Sequence, residues 1–195
     1  MFGSDNTGDI LNPENRLSIL ERINVDLPDK VDLVTADGSI DCQGDPANQE
    51  AIVTRLHLAE VAVALNCLNK GGHLVLKMFT LFESSSICLM YLLVCSFNSV
   101  SVFKPATSKE GNSEIYVVCR HFKDDLSAAA KAKILDVDDH IVLFKKEDVP
   151  EEFIRKIVEC ATKMKEIQCG VIKKNIETFK VCNQLCSFAL NSLKA

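Results

Sequence analysis

Positive charge is the first thing this sequence is short of. Its 22 lysines and arginines are outnumbered by 27 aspartates and glutamates, which gives a net charge of -5 and a pI near 5.4. That balance excludes a protein that grips nucleic acid by bulk positive charge, although a local basic cleft stays open to it. CxxC pairs are absent as well. Nine cysteines are present, yet the number is odd and most lie in apolar runs, where cysteine behaves as a small hydrophobe. Cys182 and Cys186 stand four residues apart and could share a helix face, which packing explains better than half of a zinc site. All nine read as reduced thiols of a cytosolic or nuclear protein, and no metal centre is expected. No GxGxxG motif follows a strand-like run, which discounts a nicotinamide-type Rossmann protein. Met1 to Asn6 contains no basic segment leading into an apolar core, so no signal peptide is expected there. The longest apolar run, Ser86 to Phe103, is interrupted by Ser96, Asn98, Ser99 and Ser101; it reads as a helix, a turn and a strand instead of a membrane span. Internal repeats and low-complexity tracts are missing too.

What is present suffices for one domain with a core: 195 residues, 47% hydrophobic and 25% charged, within the range of ordinary globular chains. Residues 1 to 12 form a polar loop, and Asn12 and Pro13 read as the cap and first residue of a helix to about Ile23. Val31 to Ala36 reads as a strand closed by the turn pair Asp37 and Gly38. After a loop holding Gly44 and Pro46, Ile52, Leu56, Ala59, Val63 and Leu65 recur at helical spacing. They predict a helix from Asn48 to Leu68, closed by Gly71 and Gly72. A strand from His73 to Phe79, a helix from Glu83 to Cys95, and strands Ser99 to Phe103 and Glu114 to Phe122 follow. Such alternation predicts an α/β fold in three layers, with parallel strands joined by crossover helices and an antiparallel edge pair at the end. Beyond residue 123 the chain becomes more charged, with a brief apolar run from Ile141 to Phe144. Two tail helices, roughly 150 to 167 and 171 to 193, are expected there.

Three of these strands carry an ionisable residue at one end, where an open α/β sheet collects its chemistry. Asp37 ends the first, although an aspartate before glycine is also an ordinary turn residue that binds local N–H groups. Lys77 lies between Leu74-Val75-Leu76 and Met78-Phe79, and desolvation there would bring an ammonium toward the range of a base. The plain alternative is a packed stem with its head in water. Glu114 opens the last strand and gains a role only if it meets Lys77, whose position and proton affinity a carboxylate on each side could tune. Asp9, in the loop from Asn6 to Ile10, could accept from a ligand or cap its own loop. Lys104 and Lys109 flank Pro105 to Ser108 and read as solvated loop lysines more readily than as phosphate contacts. His57 on a helix and His73 in a strand have no partner spacing that marks a metal site.

With these residues in place, the chain resembles the RrmJ/FtsJ-type RNA 2′-O-methyltransferases, and most of all their mRNA-cap branch. The segments that carry the resemblance are Asn6 to Ile10, Leu33 to Ser39, Asp41 to Gly44, Val75 to Thr80, Met90 to Leu93, Val102 to Ser108 and Gly111 to Cys119. They fall in family order between about residues 2 and 122. The resemblance implies a Rossmann-like class I methyltransferase sheet, S-adenosyl-L-methionine as cofactor and capped mRNA as partner, with the second transcribed nucleotide favoured as acceptor. Of the family's Lys-Asp-Lys-Glu tetrad it maps Asp37, Lys77 and Glu114 as catalytic residues, and it maps Asp9 as a cofactor contact. Neutral Lys77 would take the 2′-hydroxyl proton during in-line transfer, with Asp37 and Glu114 orienting it. The family's first catalytic lysine and its glycine-rich loop precede the segment that matches residue 2. The resemblance therefore implies a C-terminal half of a catalytic domain over residues 1–123, followed by a helical extension over 124–195. The exposed apolar edge of the Val31 to Ala36 strand would call for a partner chain or a preceding segment to complete the sheet. A catalytically inactive binding module is the competing expectation, and residence in nucleus or cytoplasm follows from the family and the thiols.

Overall fold

The computed structural model describes residues 3–109, 111–136 and 143–192, with side chains as far as Asn183. Helix α1 (Pro13–Asp26) starts as its sequence dictates: Asn12 is extended, its side chain accepts from the Glu14 N–H, and Pro13 takes the first turn. Strand β1 (Val31–Ala36) leads through an irregular loop to α2 (Gln49–Cys67), which runs straight into β2 (Leu68–Met78). Helix α3 (Ser84–Ser96) then passes directly into β3 (Phe97–Phe103), without the expected turn, and β4 (Ile115–Phe122) follows.

The four strands lie in the order β1-β2-β4-β3. β1 and β2 are parallel, while β4 is antiparallel to both β2 and β3. The expected mixed sheet is therefore present, with β4 inserted between β2 and β3. β2 begins at Leu68, five residues before the expected start, because Gly71 adopts a φ of +88° and lets a bulge pass where a helix cap was anticipated. The register against β1 shifts at the same place, between Val31 and Leu33.

The core lies on one face of the sheet. Leu74, Leu76 and Met78 of β2 and Val117 and Cys119 of β4 are fully buried there. α2 packs on β2, and its Ala59, Ala62 and Ala64 are fully buried among the sheet and the neighbouring helices. α3 lies beside α2 over β3, and α1 packs on α2. The opposite face carries Leu33 at 54% and Phe103 at 56% exposure, with Thr35 and Ser101 also exposed. Among the described residues there are thus two layers, where the alternation of strands and helices predicted three.

The tail departs from expectation in two ways. Helix α4 (Ala128–Leu135) was not anticipated; Ser127 caps it by accepting from the Ala130 N–H, and it packs on α2. α5 (Glu151–Ser192) is one continuous helix in place of two. It runs through Gly170, a residue with open space around it; one glycine costs a helix only about 1 kcal/mol, less than flanking apolar periodicity provides. Residues 141 and 142 of the expected apolar run lie outside the described residues. None of the described helices is long and apolar enough to cross a membrane.

One buried carboxylate ties the helices together. Glu50, 7% exposed on the first turn of α2, accepts from the N–H groups of Phe82 and Glu83 just ahead of α3 and from the Thr80 hydroxyl. It serves as an N-terminal cap supplied by another helix. Replacing Glu50 with alanine strands these donors, and urea denaturation should show a loss of about 2–3 kcal/mol. Glutamine, which keeps one acceptor oxygen, should recover part of it.

Candidate active site

Parallel pairing of β1 with β2 sets the site. The register joins Thr35 to Val75 and Ala36 to Leu76, so the next residues, Asp37 and Lys77, meet at the rim of the sheet. Lys77 is 9% exposed. Its ammonium lies 2.7 Å from Asp37 Oδ1 and donates to the Asp37 carbonyl at 3.0 Å. Of the two sequence alternatives for Lys77, the head in water is excluded. The Asp37 side chain remains 66% exposed, so one carboxylate both pairs with the lysine and faces solvent.

Glu114 stands farther off. Tyr116 pairs with Lys77 across the β2–β4 ladder, and Glu114, two residues earlier on the same side, lies beside it. Desolvation, followed by the charges of Glu114 and Asp37, pushes the Tyr116 phenol up. Among the described residues the ion pair of Lys77 is with Asp37; Glu114 bears on the phenol of Tyr116, the ladder partner of Lys77 and a residue the sequence did not single out. Lys104 is no solvated loop lysine. Its ammonium donates to the carbonyls of Asn112 at 3.0 Å and Glu114 at 2.6 Å, and to the side chains of Asn112 and Ser108. It closes the β3–β4 connection on itself, and desolvation draws its pKa down. Lys109 is exposed.

Asp9 is presented by a loop fastened to α1. The amide of fully buried Asn15 donates to the Asp9 carbonyl and to Asp5 Oδ1, both at 2.9 Å. The Arg16 guanidinium donates to the carbonyls of Ile10 and Leu11. The Asp9 carboxylate accepts from the Leu11 N–H at 2.9 Å, so the local capping role is real. The same residue lines a cleft of about 470 Å³ with Thr35, Asp37, Gly38 and Glu60. The structure thus brings Asp9, Asp37 and, through Asp37, Lys77 to one cleft.

Comparison with known proteins bears on what such a cleft is for. Residues 3–122 match the FtsJ-like methyltransferase family. The chain belongs to that family. It is 46% identical over 187 residues to cap-specific mRNA (nucleoside-2′-O-)-methyltransferase 2 of Danio rerio, covering 93% of this chain and 25% of that protein. To the protein of the same name from Drosophila melanogaster it is 43% identical over 188 residues, 92% of this chain and 27% of the other. Cap-specific mRNA (nucleoside-2′-O-)-methyltransferase 1 of Homo sapiens is 41% identical over 123 residues, 62% of this chain and 15% of that protein. The chain spans about a quarter of the length of the type 2 relatives it matches.

In this FtsJ-like chain, two further ionisable residues of α2 sit behind the Asp37–Lys77 pair. Glu60, 7% exposed, accepts from the Gly38 N–H at 2.8 Å, and burial pushes its carboxyl up to about 7 against the pull of Gly38 and Lys77. His57, 2% exposed and stacked on Phe79, is drawn down to about 4 by burial and by Lys77. Periodicity placed both on a buried helix, but nothing in the spacing could show which loop they would meet.

The two groups oppose each other in pH. Glu60 holds its proton in the fold where the unfolded chain releases it, so its contribution to stability is lost as pH rises from about 4.5 through 7. His57 stays neutral where the unfolded chain binds a proton, so its contribution is lost as pH falls from about 6.5 through 4. Relative to the wild-type protein, Glu60→Gln should gain stability as pH rises across the Glu60 window. His57→Gln should lose stability as pH rises across the His57 window. Each change should be on the order of 3 kcal/mol, read by urea denaturation between pH 4 and 8.

Proposed function

We propose that this chain forms part of the active site of a ribose 2′-O-methyltransferase that acts near the 5′ cap of mRNA. The observation that carries the reading is the buried Lys77 ammonium, held by both the side chain and the carbonyl of Asp37 at the edge of a cleft. When bound, S-adenosyl-L-methionine supplies an electrophilic sulfonium methyl group. The carboxylates of Asp9 and Asp37, both exposed toward the cleft, are the residues that would hold it, and their charge fits a cationic donor.

Lys77 is the base. In its neutral form it would accept the proton of the ribose 2′-hydroxyl as the methyl passes to that oxygen, the pair of the broken S–C bond staying on the donor's thioether and the proton on Nζ. Asp37 then stabilises the ammonium formed, and its two contacts fix the direction of the Nζ lone pair before transfer. Glu114 acts at longer range, through Tyr116. The second transcribed nucleotide is the acceptor we favour, because the type 2 alignments take in nearly the whole chain with its tail, whereas the human type 1 alignment covers 62% of it. The same contrast supports reading residues 1–123 as the methyltransferase portion and 124–195 as a helical extension. The open edge of β1 and the exposed sheet face support completion of the sheet by a preceding segment or a partner chain. Eight free cysteines among the described residues are consistent with residence in the nucleus or cytoplasm.

The test is methyl transfer from labelled S-adenosyl-L-methionine to capped RNA, with this chain alone and with the chain extended at its N-terminus by the corresponding segment of the Danio rerio relative. The extended form should transfer the label to a 2′-oxygen, and Lys77→Met should lower the rate by at least about 100-fold. Transfer in neither form would leave an inactive binding module as the better reading. Full transfer by Lys77→Met would remove the lysine from the mechanism.

A further inference from the structure

The peptide group between Asp37 and Gly38 is held at both ends. Its carbonyl accepts from Lys77 Nζ at 3.0 Å, and its N–H donates to Glu60 Oε1 at 2.8 Å. We propose that Glu60 is a positioning residue for the Asp37–Lys77 pair, which grips the far end of this peptide so that its carbonyl and the Asp37 side chain stay turned toward the lysine. The proposal rests on the catalytic reading of Lys77 given above.

Three observations converge on it. Asp37 lies one residue past the end of β1 and its side chain is mostly in solvent, so a grip on the peptide that follows it adds order where the strand ends. α2 supplies that clamp from a rigid element, since Glu60 follows fully buried Ala59 and precedes fully buried Val61 and Ala62. Gly38 makes the approach possible: a Cβ there would lie 2.7 Å from Glu60 Oε1 and 3.1 Å from Leu56 Cδ2. A side chain at position 38 would therefore displace the carboxylate.

A buried carboxylate is a costly way to bind one N–H. Glu60 Oε2 is buried with no hydrogen-bond partner among the described residues, so packing alone does not account for it. A carboxylate at one end of a peptide and an ammonium at the other polarise that peptide in the same sense, and each strengthens the other's hydrogen bond. The charged and titratable groups around Glu60 are Lys77 on β2, Asp37 at the end of β1, His57 one turn earlier on α2 and Asp9 across the cleft. Because burial pushes Glu60 up to about 7, the grip is strongest above that pH and weakens below it.

The experiment is NMR of the chain itself, following the Gly38 amide and the Lys77 ε-carbon between pH 5 and 9 in the wild-type protein, Glu60→Gln and Glu60→Ala. In the wild-type protein the Gly38 amide proton should move downfield with a midpoint near 7, as its acceptor becomes a carboxylate, and the Lys77 ε-carbon should shift in the same step. Glu60→Gln should abolish both steps while keeping the Lys77 resonance near its wild-type position, because the amide oxygen still accepts. Glu60→Ala should move Lys77 toward the position of an exposed lysine. A wild-type Gly38 amide with no transition in this range, or a transition that persists in Glu60→Gln, overturns the proposal even if the alanine variant does not fold. In the extended form, Glu60→Ala should lower the transfer rate about 10- to 100-fold with little change in KM, and Glu60→Gln should restore most of it. An unchanged rate in Glu60→Ala also overturns the proposal. Absence of methyl transfer in every form, with the NMR steps intact, overturns the catalytic reading and leaves the clamp standing.

Discussion

A lysine ammonium almost sealed from solvent is the constraint around which this structure is arranged. Moving such a charge from water costs several kcal/mol unless fixed partners replace the lost hydration. Lys77 finds two acceptors in one residue, the carboxylate and the carbonyl of Asp37. That solution requires β1 to end one residue before Asp37 and to run parallel to β2 in the register Ala36 to Leu76. An antiparallel pair would carry Asp37 away from Lys77, and a slip of one residue would turn one of the two to the opposite face.

The helix that crosses between these strands does more than connect them. Glu50, His57 and Glu60 lie seven and three residues apart along α2, close enough in angle to form one buried polar stripe on the helix. Each meets a different segment: Glu50 the start of α3, His57 the ring of Phe79, Glu60 the N–H of Gly38. The stripe fixes the two loops that leave the C-terminal ends of β1 and β2, and so the rim of the sheet on which the site stands. Asn15 and Arg16 of α1 do the equivalent for the loop that bears Asp9.

Much of this was legible in the sequence. The apolar runs ending in Asp37 and Lys77 marked the strands, and the residues at their ends marked the pair that the fold brings together, because strand position and residue type are local facts. What escaped was set by distance. Glu60 reads as one more polar residue on a helix until Gly38 is seen folded against it, 22 positions away. Tyr116 reads as a strand aromatic until the ladder places it opposite Lys77. Lys104 looked solvated because its acceptors, the carbonyls of Asn112 and Glu114, belong to the backbone and carry no side-chain signature. The continuity of α5 between the two expected helices carries no local signature, since a single exposed glycine is a small penalty within 42 helical residues.

The sheet has one covered face and one bare face among the described residues, and the site lies where the two meet. Alternation along β2 puts Leu74, Leu76 and Met78 under the helices and sends Val75 and Lys77 the other way. Glu60 approaches from the covered side, so the Asp37–Gly38 peptide spans the rim from one side to the other, its N–H toward α2 and its carbonyl toward the lysine. Leu33, Thr35, Ser101 and Phe103, all exposed, lie on the same side of the sheet as Lys77, opposite α2. Contact on that face acts directly on the lysine environment, whereas a change in α2 acts on it only through one peptide group. The covered half of the molecule holds the Asp37–Lys77 pair through the Gly38 N–H, and the bare half leaves the lysine's side of the sheet open among the described residues.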